Sequence, residues 1–207
     1  MKKHPGRTTL LKGSGGFTTA ELLVAALFGL IVMAALYGFY RDQLYTLVSQ
    51  EAKIATLEDT RGALDLMARE LRNAGSWTSG TQPSGCQRVV SATASSVRIQ
   101  ADLDGNGDCT SATGEDVTYD LSTATSTCPG TIIRRNGDCL VANVVIPTGS
   151  SFLKYYDSSA TVLTPPMSDL SVIKRVEITF SVQVSNPDPR VGGTLTSSLL
   201  TGIEFRN

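Results

Sequence analysis

The chain has 207 residues, 41% of them hydrophobic, with 18 basic and 19 acidic side chains and a net charge of −1. That is long and apolar enough for one ordinary domain plus an added segment, and it excludes a disordered chain. The near-neutral balance gives no footing for nucleic-acid binding, which needs a surplus of Lys and Arg.

Charge is unevenly placed along the chain. Lys2, Lys3, Arg7 and Lys12 fall within residues 1–16, which contain no acid. Taking these four from the 18 basic residues leaves 14 against 19 acidic ones, a balance of −5. A basic, acid-free stretch ahead of an apolar run marks the cytoplasmic flank of a membrane segment. Leu22 to Tyr40 supplies 19 residues without a charge, close to the roughly 20 that span a bilayer as a helix. No small-x-small cleavage site separates this run from Arg41; the small residues Gly13, Gly15 and Gly16 lie ahead of it. A peptidase acting there cuts on the cytoplasmic side and leaves the apolar segment on the mature chain. Glu21 stands at the head of that segment, although a carboxylate in hydrocarbon costs about 2.5 kcal/mol or more.

Helical periodicity continues past Tyr40. Leu47, Ile54, Leu57, Leu64, Ala68 and Leu71 are separated by seven, three, seven, four and three residues, which places them on one face. Arg61, Asp65 and Arg69, four apart, are positioned to support one another on the outer face. Asn73-Ala74-Gly75 ends the pattern, with Gly75 suited to a left-handed cap. One helix is therefore predicted from about Thr18 to Ala74, roughly 85 Å at 1.5 Å per residue. Its first half is apolar all round and its second half is amphipathic.

Beyond Gly75 the composition turns to Ser, Thr, Gly and β-branched residues, and short strands are predicted. In Arg175–Val184 the residues Val176, Ile178, Phe180, Val182 and Val184 alternate with polar ones. A Pro/Gly-rich connection links this strand to Leu199–Phe205, which suggests an antiparallel pair. Thr131–Ala142 reads as a hairpin with Asn136-Gly137 at a type I′ turn. Ser150–Thr164 reads as another hairpin, and "SSVRIQAD" and "EDVTYDL" supply two more strands. The predicted organisation is a basic leader (1–16), a membrane or assembly helix (17–40), an amphipathic continuation (41–75) and a β-rich head (76–207). The fold class is α+β, a long N-terminal helix packed on an antiparallel sheet.

Four cysteines, Cys86, Cys109, Cys128 and Cys139, contain no close pair, and the one histidine, His4, lies in the leader. Two disulfides fit an exported head better than a zinc site does. Three connectivities are possible, of which neighbour pairing, Cys86–Cys109 and Cys128–Cys139, is the expectation. Asp102, Asp104, Asn106 and Asp108 repeat oxygen ligands at the spacing of the first half of an EF-hand loop, with Gly107 at the turn. The twelfth position is Thr113 rather than Glu, and strands rather than helices flank the loop. Two readings stand: a calcium loop completed by Glu115 or Asp116, or an Asp/Asn/Gly-rich turn without metal. No cofactor is required by anything in the sequence. Catalysis is not expected: the head has no histidine, no Gly-x-Ser-x-Gly elbow and no phosphate-binding loop.

"GGFTTAELLVAALFGLIVMAAL" resembles the N-terminus of type IV prepilins and type II secretion pseudoprepilins, in which a basic leader ending in Gly precedes Phe-Thr, two residues, Glu and a long apolar helix. The "TTAE" step here is less apolar than is usual. The resemblance implies cleavage by a prepilin peptidase between Gly16 and Phe17, N-methylation of Phe17, and an assembly role for Glu21. In a stack of such helices the new Phe17 amine of one subunit can meet Glu21 of its neighbour. "RGALDLMARELRNAGSW" (Arg61–Trp77) is similar to the helix end of PilW-type minor pilins and, less closely, of the J pseudopilin of type II secretion. A cysteine often follows in those families, as Cys86 does here. These resemblances imply a pilin-like fold and a minor pilin that is a structural or priming subunit of a type IV pilus. They also imply an inner-membrane, single-pass state with the N-terminus cytoplasmic and the head periplasmic, followed by entry into a pilus or pseudopilus. The implied partners are prepilin peptidase, other pilin or pseudopilin subunits and an inner-membrane assembly platform. The alternatives are a J-type pseudopilin and a membrane-anchored calcium- or ligand-binding module that never polymerises.

Overall fold

The computed structural model describes residues 16–125 and 127–205. The leader basic residues, His4, Gly13 and Gly15 lie outside the described residues. One helix, α1 (Thr19–Asn73), is followed by ten strands. The chain divides into two compact units, Met1–Thr46 and Leu47–Asn207.

In the first unit every described residue from Gly16 to Leu44 is exposed. Leu22, Leu30, Met33 and Phe39 each keep more than half of their surface accessible, at 65%, 69%, 67% and 65%. No proline interrupts α1, so nothing breaks its ladder of hydrogen bonds. Through this unit α1 is long and apolar enough to cross a membrane.

In the second unit α1 ends at Asn73, and Gly75 follows with φ +76°. Two features require glycine there. The backbone is left-handed, and a Cβ would lie 2.8 Å from Cγ and Cδ of Arg88. The Gly75 N–H then donates to the Gln100 carbonyl at 2.9 Å, which ties the end of the helix to the sheet.

The strands form two antiparallel sheets where the sequence suggests one. The first has the order β1 (Val89–Ala92), β2 (Ser96–Gln100), β3 (Asp116–Ser122), β4 (Ile132–Arg135), β5 (Asp138–Val141). The second runs β10 (Thr194–Glu204), β9 (Arg175–Ser185), β7 (Leu153–Tyr156), β8 (Val162–Leu163), with β6 (Val144–Val145) also on β9. The β4–β5 turn is Asn136-Gly137, with φ of 52° and 92°, the pair of positive φ values that a type I′ turn demands. β7 and β8 form the second hairpin, and β9 and β10 pair from Arg175↔Glu204 to Ser185↔Thr194.

Val97, Val117, Tyr119 and Ile133 of the first sheet and Leu153, Tyr155, Val176, Ile178, Phe180 and Ile203 of the second join Met67 and Leu71 of α1 in one core. The buried stripe of α1 differs from the predicted face. Thr60, Ala63, Met67, Ala68 and Leu71 are buried, whereas Leu47 and Ile54 stay 58% and 56% exposed. Full burial on α1 begins only at Thr60, so apolar periodicity outruns the contact that uses it. Arg61, Asp65 and Arg69 are exposed and form no ion pair with the described residues. The charge that matters on α1 is Glu70, which receives the Arg135 guanidinium (Nη2 to Oε1, 2.7 Å) and the Tyr119 hydroxyl, joining the helix to β3 and β4. β9 also departs from simple alternation, since Thr179 and Ser181 on its other face are buried, and the Ser181 hydroxyl meets that of Ser198 at 2.8 Å.

Candidate functional site

Two groups of residues singled out by the sequence have defined geometry. The first is the start of α1. Gly16, Phe17 and Thr18 precede the helix, and Phe17 is 88% exposed. Thr18 therefore occupies the N-cap and Glu21 the third helical position. The Thr18 Oγ1 accepts from the Glu21 N–H at 3.2 Å. In return Glu21 Oε2 accepts from the Thr18 N–H at 2.9 Å and from its hydroxyl at 3.1 Å. This reciprocal arrangement is a capping box. It gives Glu21 a partner inside its own chain and satisfies two N–H groups that every helix start leaves open. The sequence reading starts the helix at Thr18 but misses its capping role, although Thr-x-x-Glu is itself the written signal for such a box.

The second group is the acidic loop, which connects β2 to β3. Asp102, Asp104 and Glu115 bring carboxylate oxygens within 4.8 Å of one another, with Asp102 and Glu115 buried and Asp104 exposed. Backbone donors hold each of them. Asp102 accepts from the Gly105 and Gly107 N–H groups at 2.7 and 3.3 Å, and Asp104 from that of Asn106 at 3.0 Å. Glu115 Oε1 accepts from Leu103 and Asp104, and Oε2 from Ala112 and the Ser111 hydroxyl. Burial pushes the Glu115 carboxyl up, but the N–H groups of Ala112, Leu103 and Asp104 together with Ser111 outweigh it and hold the carboxyl below its ordinary value.

The remaining acidic-loop residues turn elsewhere. Asp108 accepts from the Thr110 N–H and hydroxyl. Asn106 donates to Asp104 and Ser111 and accepts from the Asp108 N–H. Asp116, the other residue weighed for completing the loop, lies on β3 and pairs with Arg98 across the sheet, with Nε 2.8 Å from Oδ1. Such a cluster has the hard oxygen chemistry that suits a divalent cation, and here backbone N–H groups hold it together.

The disulfides join Cys86 to Cys109 and Cys128 to Cys139, with Cα atoms 5.9 and 6.5 Å apart. The first fastens the segment after α1 to the acidic loop, and the second fastens the connection before β4 to β5. No protein-family model matches this chain, and neither a curated protein nor a solved structure is significantly similar to it.

Proposed function

We propose that the chain is a type IV pilin-like subunit, a PilW-type minor pilin with a structural or priming role. In this reading it is inserted in the inner membrane with its head periplasmic, processed by a prepilin peptidase between Gly16 and Phe17, methylated on Phe17, and assembled with other pilin subunits on an inner-membrane platform. One observation carries the reading. The Gly16-Phe17 step, a capped carboxylate at Glu21 and an apolar helix exposed on all sides follow one another directly. A helix of that kind has no core of its own and needs lipid or other helices around it. The head needs neither catalytic chemistry nor a cofactor to serve as a filament part. A J-type pseudopilin shares every feature of this argument, and the genes beside this one distinguish pilus from secretion assembly.

A second reading draws on a specific observation. The capping box satisfies Glu21 within one chain, as it would in an anchor that never polymerises. Glu21→Gln separates the two, because glutamine fills the third position of a capping box as well as glutamate does but cannot neutralise a neighbour's amine. For an assembling subunit, Glu21→Gln inserts normally and fails to enter filaments. For a simple anchor it behaves as wild type, and only Glu21→Ala weakens the helix start, by about 1 kcal/mol. Intact mass and N-terminal sequencing of the membrane-extracted chain test the processing step. A methylated Phe17 start is expected, and an unprocessed Met1 start overturns it.

A further inference from the structure

An open cleft of about 1000 Å³ lies between the segment that follows α1 and the segment that precedes β9. Trp77, Gln82, Gln87 and Arg88 line one wall, and Asp169 and Ser171 the other, with Lys174 also at the surface. Both walls are built rather than loose. Asp102 donates its N–H to the Ser76 carbonyl and receives the Thr78 N–H on its own, which fixes Trp77 between them. The Cys86–Cys109 disulfide closes the same wall. Arg88 holds the opposite wall, its Nη2 donating to the carbonyls of Ser171 and Ile173 at 3.1 and 2.8 Å.

Arg88 is the anomaly of the cleft. It is partly buried and stacked on the Phe205 ring, 5.3 Å from its centroid, yet it forms no ion pair with any described carboxylate. Burial pulls its guanidinium below the ordinary value, and two carbonyls and the Phe205 ring, none of them an acid, are its compensation among the described residues. Its Nε and Nη1 hydrogens make no bond with the described residues, and neither nitrogen is sealed from solvent. Trp77, partly exposed in the same cleft, offers an apolar ring with a polar edge. The amides and hydroxyls around them match the hydroxyls of a sugar. A cavity of this size sits at the top of the range for small-ligand sites.

We infer that this cleft binds an acidic oligosaccharide, with one uronate carboxylate on Arg88 and a pyranose face on Trp77. A charge-assisted bond to a partly desolvated guanidinium supplies the selectivity for the acid, and the indole supplies the preference for a ring over a free carboxylate. An acidic peptide lacks that flat face, and a neutral sugar leaves Arg88 uncompensated. The inference concerns the head alone and holds whether or not the chain polymerises.

Trp77 is the only tryptophan, so the intrinsic emission of the full chain in zwitterionic micelles reports on the cleft directly. Titration with tri-galacturonate is expected to give a saturable spectral shift, with none from cellotriose, tri-glutamate or acetate at the same concentration. Arg88→Gln should weaken binding about tenfold or more. Asp169→Asn, which keeps an acceptor for the Ser171 N–H and removes the acid of the facing wall, should tighten it about twofold. Because Arg88 also holds a wall, Asp169→Asn serves as the independent reading if Arg88→Gln misfolds. No shift with tri-galacturonate, an equal shift with cellotriose or tri-glutamate, or weaker binding by Asp169→Asn overturns the assignment.

Discussion

From Gly16 to Leu44 no residue is sheltered, whereas further along the same helix Met67 and Leu71 are fully sealed. The two stretches share a secondary structure and owe it to different causes. In Leu47–Asn207 the helix is one wall of a core and is held by side chains from two sheets. In Met1–Thr46 the described residues are helical with no such support. Isolated helices are marginal in water, and a wholly apolar one calls for lipid or like neighbours. The first unit is thus incomplete by itself, and the head is self-sufficient. Each test of that contrast removes something from the head that the first unit does not have.

The largest effect should come from the core. Phe180 is fully buried and meets the Phe152 ring edge-on, 6.3 Å between centroids. Phe180→Ala should destabilise the head by about 3–5 kcal/mol. Leu30→Ala truncates a side chain that is 69% exposed, so the melting transition of the head in micelles should not move. A comparable drop from Leu30→Ala would show that the contrast is wrong. Next in size is reduction of the disulfides. The Cys86–Cys109 bridge closes a separation of 23 residues, worth about 3 kcal/mol by loop entropy, and the Cys128–Cys139 bridge closes 11 and should contribute slightly less. Reductant should lower the melting temperature of the head and leave the helical signal of the first unit unchanged, since no cysteine precedes Cys86.

Features decided by neighbouring residues were legible in the sequence. The end of α1 at Asn73-Ala74-Gly75, the Asn136-Gly137 hairpin and the existence of β9 all follow from local backbone chemistry, whereas the burial of Thr179 and Ser181 on its other face does not. Features decided by distant contacts were not. Nothing local says that Leu47 and Ile54 stay exposed while Thr60 and Ala63 become buried, because Leu47, Ile54, Arg61 and Ala68 share one heptad phase. Nor does any local signal split the strands into two sheets or reveal the two-residue strand β6. The acidic loop divides in the same way. Its Asp-x-Asp repeat is visible in the sequence, but which of two adjacent acids turns inward depends on β3. The pleat sends Asp116 to Arg98, while Glu115, just ahead of the strand, closes over the loop. Arg88 carries no motif, and only the fold sets it in one cleft with Trp77.

The smallest effect sharpens the contrast through pH. Burial raises the Tyr155 phenol above its ordinary value. The hydroxyl donates to the carbonyls of Thr93 and Ser96 at 2.8 and 3.1 Å, linking β7 to the β1–β2 turn. Tyr119 is shifted in the same direction, by burial first and then by Glu70. With a folded value above the unfolded one, this stability is fully present below the unfolded tyrosine value of about 10 and falls as pH rises beyond it. The native state keeps a proton there that the unfolded chain gives up. Denaturation of the head followed from pH 8 to 11 should therefore show a progressive loss. Tyr155→Phe should cost about 1 kcal/mol at pH 8 for the lost hydrogen bonds and should flatten the alkaline decline. A decline as steep in Tyr155→Phe as in wild type would mean that this phenol is not held neutral by the core. Tyr40→Phe, at an exposed residue of the first unit, removes no hydrogen bond of the head and should leave its stability where it was.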